Sequence, residues 1–191
     1  MGNREDLLAG AKRCLYEKGY ARTTARDIAA AAGTSLAAIG YHYKSTEALL
    51  NLALYDAIGE MGEKMAAALA AAGDPEGPPL QRFEVIWRSI IDSFQADRQV
   101  YAATLEIFGQ MDRMPDLRAA FADGIEETRG WWAKTLHDVD VRTDEKTGRA
   151  LGSFYQALMS GVMIQWLIDP DHAPSAGDLV AALRLVGEES R

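Results

Sequence analysis

The sequence predicts an all-α protein of about nine helices. Three observations carry that reading. Apolar residues recur three and four positions apart along nearly the whole chain, no stretch joins β-branched alternation to hairpin-turn residues, and proline is scarce at six in 191 residues. Asn3 is placed to cap a first helix, with Asp6 in its first turn and Leu7, Leu8, Ala11, Cys14 and Leu15 as its apolar stripe. Gly19 ends it, because glycine accepts the left-handed conformation that closes a helix. Thr24 caps a short helix over residues 25–32 that Gly33 breaks, and Ser35 caps a third through about residue 43. Ser45 caps a fourth, with Glu47 near its positive end, and alanine, leucine, methionine and glutamate carry it to about residue 72.

The stretch "GDPEGPP", residues 73–79, reads as the clearest linker. Beyond it Phe83, Ile86, Trp87, Ile90, Ile91 and Phe94 share one helical face. Further helices are expected at about 98–111, 115–137, 146–168 and 175–188, with "DVDVRTDEKTG" as a polar break before the 146–168 segment.

Length and composition allow one large domain or two small ones, with 48% hydrophobic residues to build a core. No apolar run reaches membrane-helix length, the N-terminus "MGNREDLL" lacks a signal core, and the single cysteine, Cys14, suits a reducing compartment. A cytoplasmic location is expected. The net charge of −8 is unevenly spread: residues 1–50 hold seven bases and five acids, net +2, leaving −10 for the remainder. A mildly basic head on an acidic body suits a protein that offers one end to a polyanion.

The head also carries a specific spacing. Ala29 is small where two short helices would approach, Gly33 follows four residues later at the turn, and Ile39 comes six beyond as an anchor facing Ile28. This is helix-turn-helix spacing, whose second helix enters the major groove of DNA. Over "AKRCLYEKGYARTTARDIAAAAGTSLAAIGYHYKSTEALL", residues 11–50, the chain resembles the tetracycline-repressor (TetR) family of bacterial transcriptional regulators. The matching features are a helix ending in Gly19-Tyr20, Thr-Thr-x-x-x-Ile-Ala at 23–29, an Ala-Gly-x-Ser turn at 32–35, an aromatic cluster and a Ser-x-Glu-x-Leu helix start. Two positions depart from the family pattern. Gly40 stands where an aromatic residue is usual, and Thr46 where a phosphate-contacting lysine is common.

The resemblance implies a three-helix DNA-binding domain at 1–50 and a helical ligand-binding and dimerisation domain at 51–191. Thr34, Ser35, Leu36, Ala37 and Ala38 would lead the recognition helix toward base edges, with Leu36 and Ala37 suited to thymine methyls. Tyr41 would reach a base or a phosphate. His42, Tyr43, Lys44 and Thr46 would grip phosphates, joined by Thr24 and Arg26 from the preceding helix. Ile39 belongs to the small core; Tyr43 fits either core or phosphate.

In the body, "ALMSGVMIQWLIDP", residues 157–170, looks like the family's penultimate helix, which packs against its twin. A helix apolar nearly all round needs cover on both sides. Phe154, Leu158, Gly161, Val162 and Gln165, with Leu179, Leu183 and Val186 of the last helix, are the expected interface of a homodimer. Trp87, Phe94, Tyr101, Phe108, Met111, Phe121, Trp132, Tyr155, Met159 and Met163 fall at helical spacing and read first as core. As a set they suggest a cavity for a small apolar or aromatic effector.

Catalytic chemistry is not legible. His42, His137 and His172 are far apart, and a calcium loop on Asp138, Asp140 and Asp144 would have Thr143 for its glycine and Arg149 for its glutamate. No phosphate-cradling glycine loop or nucleophile elbow occurs, no cofactor is implied, and Cys14 lies on an apolar stripe. The expectation is a homodimeric, effector-released repressor of a palindromic operator and not an enzyme. The alternative is a helical small-molecule-binding dimer without sequence-specific DNA recognition.

Overall fold

The computed structural model describes residues 2–72, 77–109 and 111–189. Among the described residues there are nine α-helices and no strand: α1 (Gly2–Lys18), α2 (Ala25–Ala31), α3 (Leu36–Tyr43), α4 (Thr46–Ala72), α5 (Pro79–Ala96), α6 (Arg98–Phe108), α7 (Pro115–His137), α8 (Glu145–Ile168) and α9 (Ala176–Glu189). A short 3-10 helix, Met111–Arg113, separates α6 from α7, so α6 stops short of the end expected near residue 111. Residues 73–76 of the expected linker lie outside the described residues. None of the described helices is long and apolar enough to cross a membrane.

The backbone groups into two compact units. One holds residues up to Lys64 with Asp97–Arg118; the other holds Met65–Ala96 with residues from Ala119 onward. In the first unit α1 packs against α2, α3 and α6. Leu7, Ala11, Cys14 and Leu15 are buried together with Ile28, Ala29, Ile39, Leu49 and Leu54, each large aliphatic side chain contributing roughly 1.5–3 kcal/mol. Burial also pushes the Cys14 thiol above its ordinary pKa, in keeping with a core role.

The α1–α2 approach depends on a residue with no signature of its own in the sequence. A Cβ at Gly10 would stand 3.0 Å from the Ala32 backbone nitrogen and 3.2 Å from the Ile28 carbonyl oxygen. Asn3 sits inside α1, which starts at Gly2, so it is not the cap. At the other end the Gly19 N–H bonds to the Leu15 carbonyl at 3.0 Å with φ +80, which turns the chain out of α1.

In the second unit α5 packs on α8 and α9. Phe83, Ile86, Trp87, Ile90 and Phe94 form its buried face as the spacing predicts, while Ile91 is only half-buried. The centre of this unit is aromatic. Trp87 stacks on Trp132 with centroids 5.8 Å apart, Tyr155 lies 5.7 Å from Trp132, and Phe83 closes the group 5.7 Å from Trp87. Helices α7 and α8 touch through Gly152, where any side chain would collide with the Arg129 carbonyl.

Candidate nucleic-acid interface

The helix-turn-helix is assembled by local hydrogen bonds. Thr24 caps α2 reciprocally: its hydroxyl accepts from the Asp27 N–H at 3.3 Å, and the Asp27 carboxylate accepts from the Thr24 N–H at 2.9 Å. The Thr24 hydroxyl proton goes to the same carboxylate at 2.7 Å, so this side chain is already committed to the cap. Lys18 closes on Asp27 at 2.5 Å. The Lys18 ammonium first, and the Thr24 hydroxyl and N–H after it, hold the Asp27 carboxyl well below the usual range.

After α2 the chain reverses through Gly33 at φ +63. The Thr34 N–H bonds to the Ala29 carbonyl at 3.0 Å and the Gly33 N–H to the Ala30 carbonyl at 3.2 Å. This paired closure needs a left-handed residue, which is why glycine stands there. Ser35 takes the N-cap position of α3, but its hydroxyl makes no cap bond; the Ala38 N–H bonds to the Ser35 carbonyl instead, at 3.1 Å. The exposed Ser35 hydroxyl is therefore left to a partner outside the helix.

Helix α3 has two distinct faces. Ile39 and Tyr43, four apart, are buried, whereas Leu36 (49% exposed), Ala37, Gly40 and Tyr41 (86% exposed) look outward with Ser35. Thr34, Ala38, His42 and Thr46 are half-buried along the border, and the His42 ring meets Tyr41 edge-on at 4.9 Å. Of the two places left open for Tyr43 it takes the core one in the free chain, 8% exposed with its hydroxyl donating to the Arg4 carbonyl at 2.6 Å. Arg26 and Lys44 are exposed and make no ion pair among the described residues. Gly40 and Arg4 were missed from sequence. Gly40 is signalled by its four-residue spacing from Leu36, whereas nothing local signals Arg4.

Lys44 itself has φ 67 and ψ −42, and the Ser45 N–H reaches back to the Tyr43 carbonyl at 2.8 Å. That is a γ-turn in its rare, strained form. Ser45 then caps α4 through its hydroxyl, which accepts from the Ala48 N–H at 3.0 Å, as expected.

The body residues sort less simply. Trp87, Phe94, Tyr101, Trp132, Tyr155 and Met163 are buried, Met111, Phe121 and Met159 are half-buried, and Phe108 is exposed. None of the ten lines either of two open surface grooves. The groove of about 300 Å³ runs from Lys18 to Arg22 beside Arg98, Gln99, Ala102 and Glu106; that of about 340 Å³ lies between Trp131 and Arg142. The Trp87 and Trp132 indole N–H groups are buried with no acceptor among the described residues. The Tyr155 hydroxyl pairs with His137 Nε2 at 2.8 Å, and desolvation and then the Arg82 charge hold that imidazole below its ordinary pKa.

Of the expected interface residues, Val162 and Leu179 are buried within the chain. Leu158, Gly161 and Leu183 are half-buried, and Phe154, Gln165 and Val186 are exposed. Ile164 and Ile168 (78% exposed) of α8 and Leu185 of α9 are exposed apolar residues as well. Gly161 leaves open space on α8, since a Cβ there would meet nothing within 4 Å.

An all-helical chain whose N-terminal helix pair presents one apolar, lightly decorated helix face is a helix-turn-helix regulator in class. The chain belongs to the TetR family of bacterial transcriptional regulators, which are ligand-responsive DNA-binding proteins. Residues 7–53 match the family pattern described as bacterial regulatory proteins, tetR family, and residues 79–188 match a tetracyclin repressor-like C-terminal domain. The HTH-type transcriptional regulator TtgR of Pseudomonas putida is 25% identical over 184 residues, covering 92% of this chain and 85% of its own. The solved structure of a regulator from Streptomyces coelicolor A3(2) is similar with a TM-score of 0.69 at 20% identity, over 95% of this chain and 96% of that one. A regulator from Saccharomonospora viridis, in complex with choline, gives 0.67 at 23% identity over 95% and 93%. These two structures share the fold.

Proposed function

We propose that the chain is a repressor that binds a palindromic operator as a homodimer and leaves it when a small apolar or aromatic effector binds. In this reading residues 1–50 recognise DNA, and residues 51–191 bind the effector and pair the subunits. The single observation that carries it is the outward face of α3, where Ser35, Leu36, Ala37, Gly40 and Tyr41 stand exposed while Ile39 and Tyr43 anchor the helix from behind. Small side chains let the helix sit deep in a major groove, and Leu36 and Ala37 fit thymine methyls. Arg26, Lys44 and Thr46 would hold phosphates. Thr24 is left with the cap as its main role.

Pairing of subunits is supported by the apolar residues that α8 and α9 leave exposed, Phe154, Ile164, Ile168, Leu185 and Val186, and by the open space beside Gly161. An aromatic effector is supported by the Trp87, Trp132 and Tyr155 cluster, whose two unpaired indole N–H groups leave donors for a ligand acceptor. The test is a gel shift on the DNA flanking the chain's own gene. A sequence-preferring complex that weakens steeply between 50 and about 200 mM salt is the expected result. An intact dimer that binds small aromatics yet shows no sequence preference at low salt would establish the alternative, a helical small-molecule-binding dimer.

A further inference from the structure

Arg4, in the first turns of α1, is joined to the last residue of the recognition helix in two ways. Its carbonyl accepts the Tyr43 hydroxyl at 2.6 Å, and its guanidinium lies over the Tyr43 ring with Cζ 5.7 Å from the centroid. The ring face holds the guanidinium by attraction to the cation and consumes none of its N–H groups. Arg4 is exposed and forms no ion pair among the described residues. A planar cation, oriented by a buried ring and with its donors unspent, is the form of arginine that takes a phosphate through two parallel hydrogen bonds.

The neighbourhood agrees. Lys44, next in sequence to Tyr43, is exposed and unpaired as well. We propose that Arg4, seated on Tyr43, is a further DNA-backbone contact that grips a phosphate beside the end of α3. This rests on the operator-binding reading of α3. A purely structural Arg4, one that only covers Tyr43, would affect folding and leave the electrolyte dependence of binding unchanged.

The experiment compares wild type with Arg4→Gln, which keeps a polar stem and planar end over the ring but drops the charge, and with Arg4→Lys, which keeps the charge. Binding to the operator fragment and to an unrelated duplex is titrated from 50 to about 200 mM salt, with urea unfolding as the control for the fold. One lost phosphate contact lowers the slope of log affinity against log salt by about 0.9, so wild type loses roughly 3.5-fold more affinity over that range than Arg4→Gln does. Arg4→Gln should weaken both duplexes by the same factor, and Arg4→Lys should restore the slope. An Arg4→Gln protein with wild-type slope and affinity overturns the proposal, as does lower unfolding stability with an unaltered slope. A wild type with no sequence-preferring complex at all overturns the operator reading first and takes this inference with it; the two failures are told apart by wild type alone.

Discussion

Lys44 offers a way to separate backbone strain from charge at one residue. Its φ of 67 and ψ of −42 place a side-chain-bearing residue in a γ-turn closed by the Ser45 N–H on the Tyr43 carbonyl. Such a conformation costs on the order of 1–3 kcal/mol in a residue with a Cβ. Glycine relieves most of that but gains about 0.5–1 kcal/mol of chain entropy in the unfolded state. Lys44→Gly should therefore stabilise the free protein by about 1 kcal/mol net, a rise of roughly 2–4 °C in Tm for a chain of this size. Lys44→Ala keeps the strain and should gain nothing. Both remove the charge, so both should weaken operator and unrelated duplex alike and lower the salt slope by about 0.9. The assay is thermal unfolding at one fixed protomer concentration, because the proposed pairing would make Tm concentration-dependent, followed by salt titration of binding. If the glycine variant is no more stable than the alanine variant, the turn is unstrained and the reasoning fails.

Gly33→Ala places a Cβ in open space but at φ +63, so its cost is conformational alone, roughly 1–2 kcal/mol, read as a lower urea midpoint with an unchanged m-value. Asp27 titrates below its ordinary value of 3.8 in the folded chain, so its contribution is present above that value and is lost as pH falls through the folded pKa. Asp27→Asn should therefore be less stable near neutrality and lose less on acidification from pH 6 to about 3, which unfolding curves at several pH values will test. Leu185→Glu puts a charge on the exposed α9 face without touching the core, and sedimentation should show a monomer where wild type shows a dimer.

Most of the head was legible in the sequence because its signals are local. Thr24 with Asp27, Gly33, and Ser45 announce helix ends within four residues of themselves, and the structure uses them as caps or turns. The buried side of Ile39 was legible too, whereas Tyr43, four residues on and on the same face, was left open between core and phosphate. What escaped was set by residues distant in sequence. Gly10 has meaning only once Ala32 lies against it, and Arg4 only once Tyr43 does. In α8 the difficulty was different. A helix apolar nearly all round carries no phase, so Val162 and Ile164 look equivalent, yet Val162 is buried within the chain and Ile164 faces outward. Packing decides such cases, and packing is a property of the other helices.

The way α1 is fastened bears on how the proposed release from DNA would act. Toward its C-terminal end α1 holds α2 through Lys18 on Asp27 and Arg13 on the Ala31 carbonyl; at its N-terminal end it holds α3 through Arg4 and Tyr43. With ties at both ends and the Gly10 contact between them, α1, α2 and α3 have little freedom to shift against one another. Helix α4 is fastened differently, by Lys12 on Asp56 at 2.5 Å and on Glu60 at 2.6 Å, and by the Tyr20 hydroxyl on Asn51 at 2.6 Å. These ion pairs are only partly buried and individually weak, so α4 is held chiefly by its buried Leu49, Leu50, Ala53, Leu54 and Ala57. Because α6 packs on α1, a push delivered through α6 would carry the recognition helix as part of a three-helix block. Release in this scheme changes the position of an intact reading head; it does not require the α2–turn–α3 geometry to come apart.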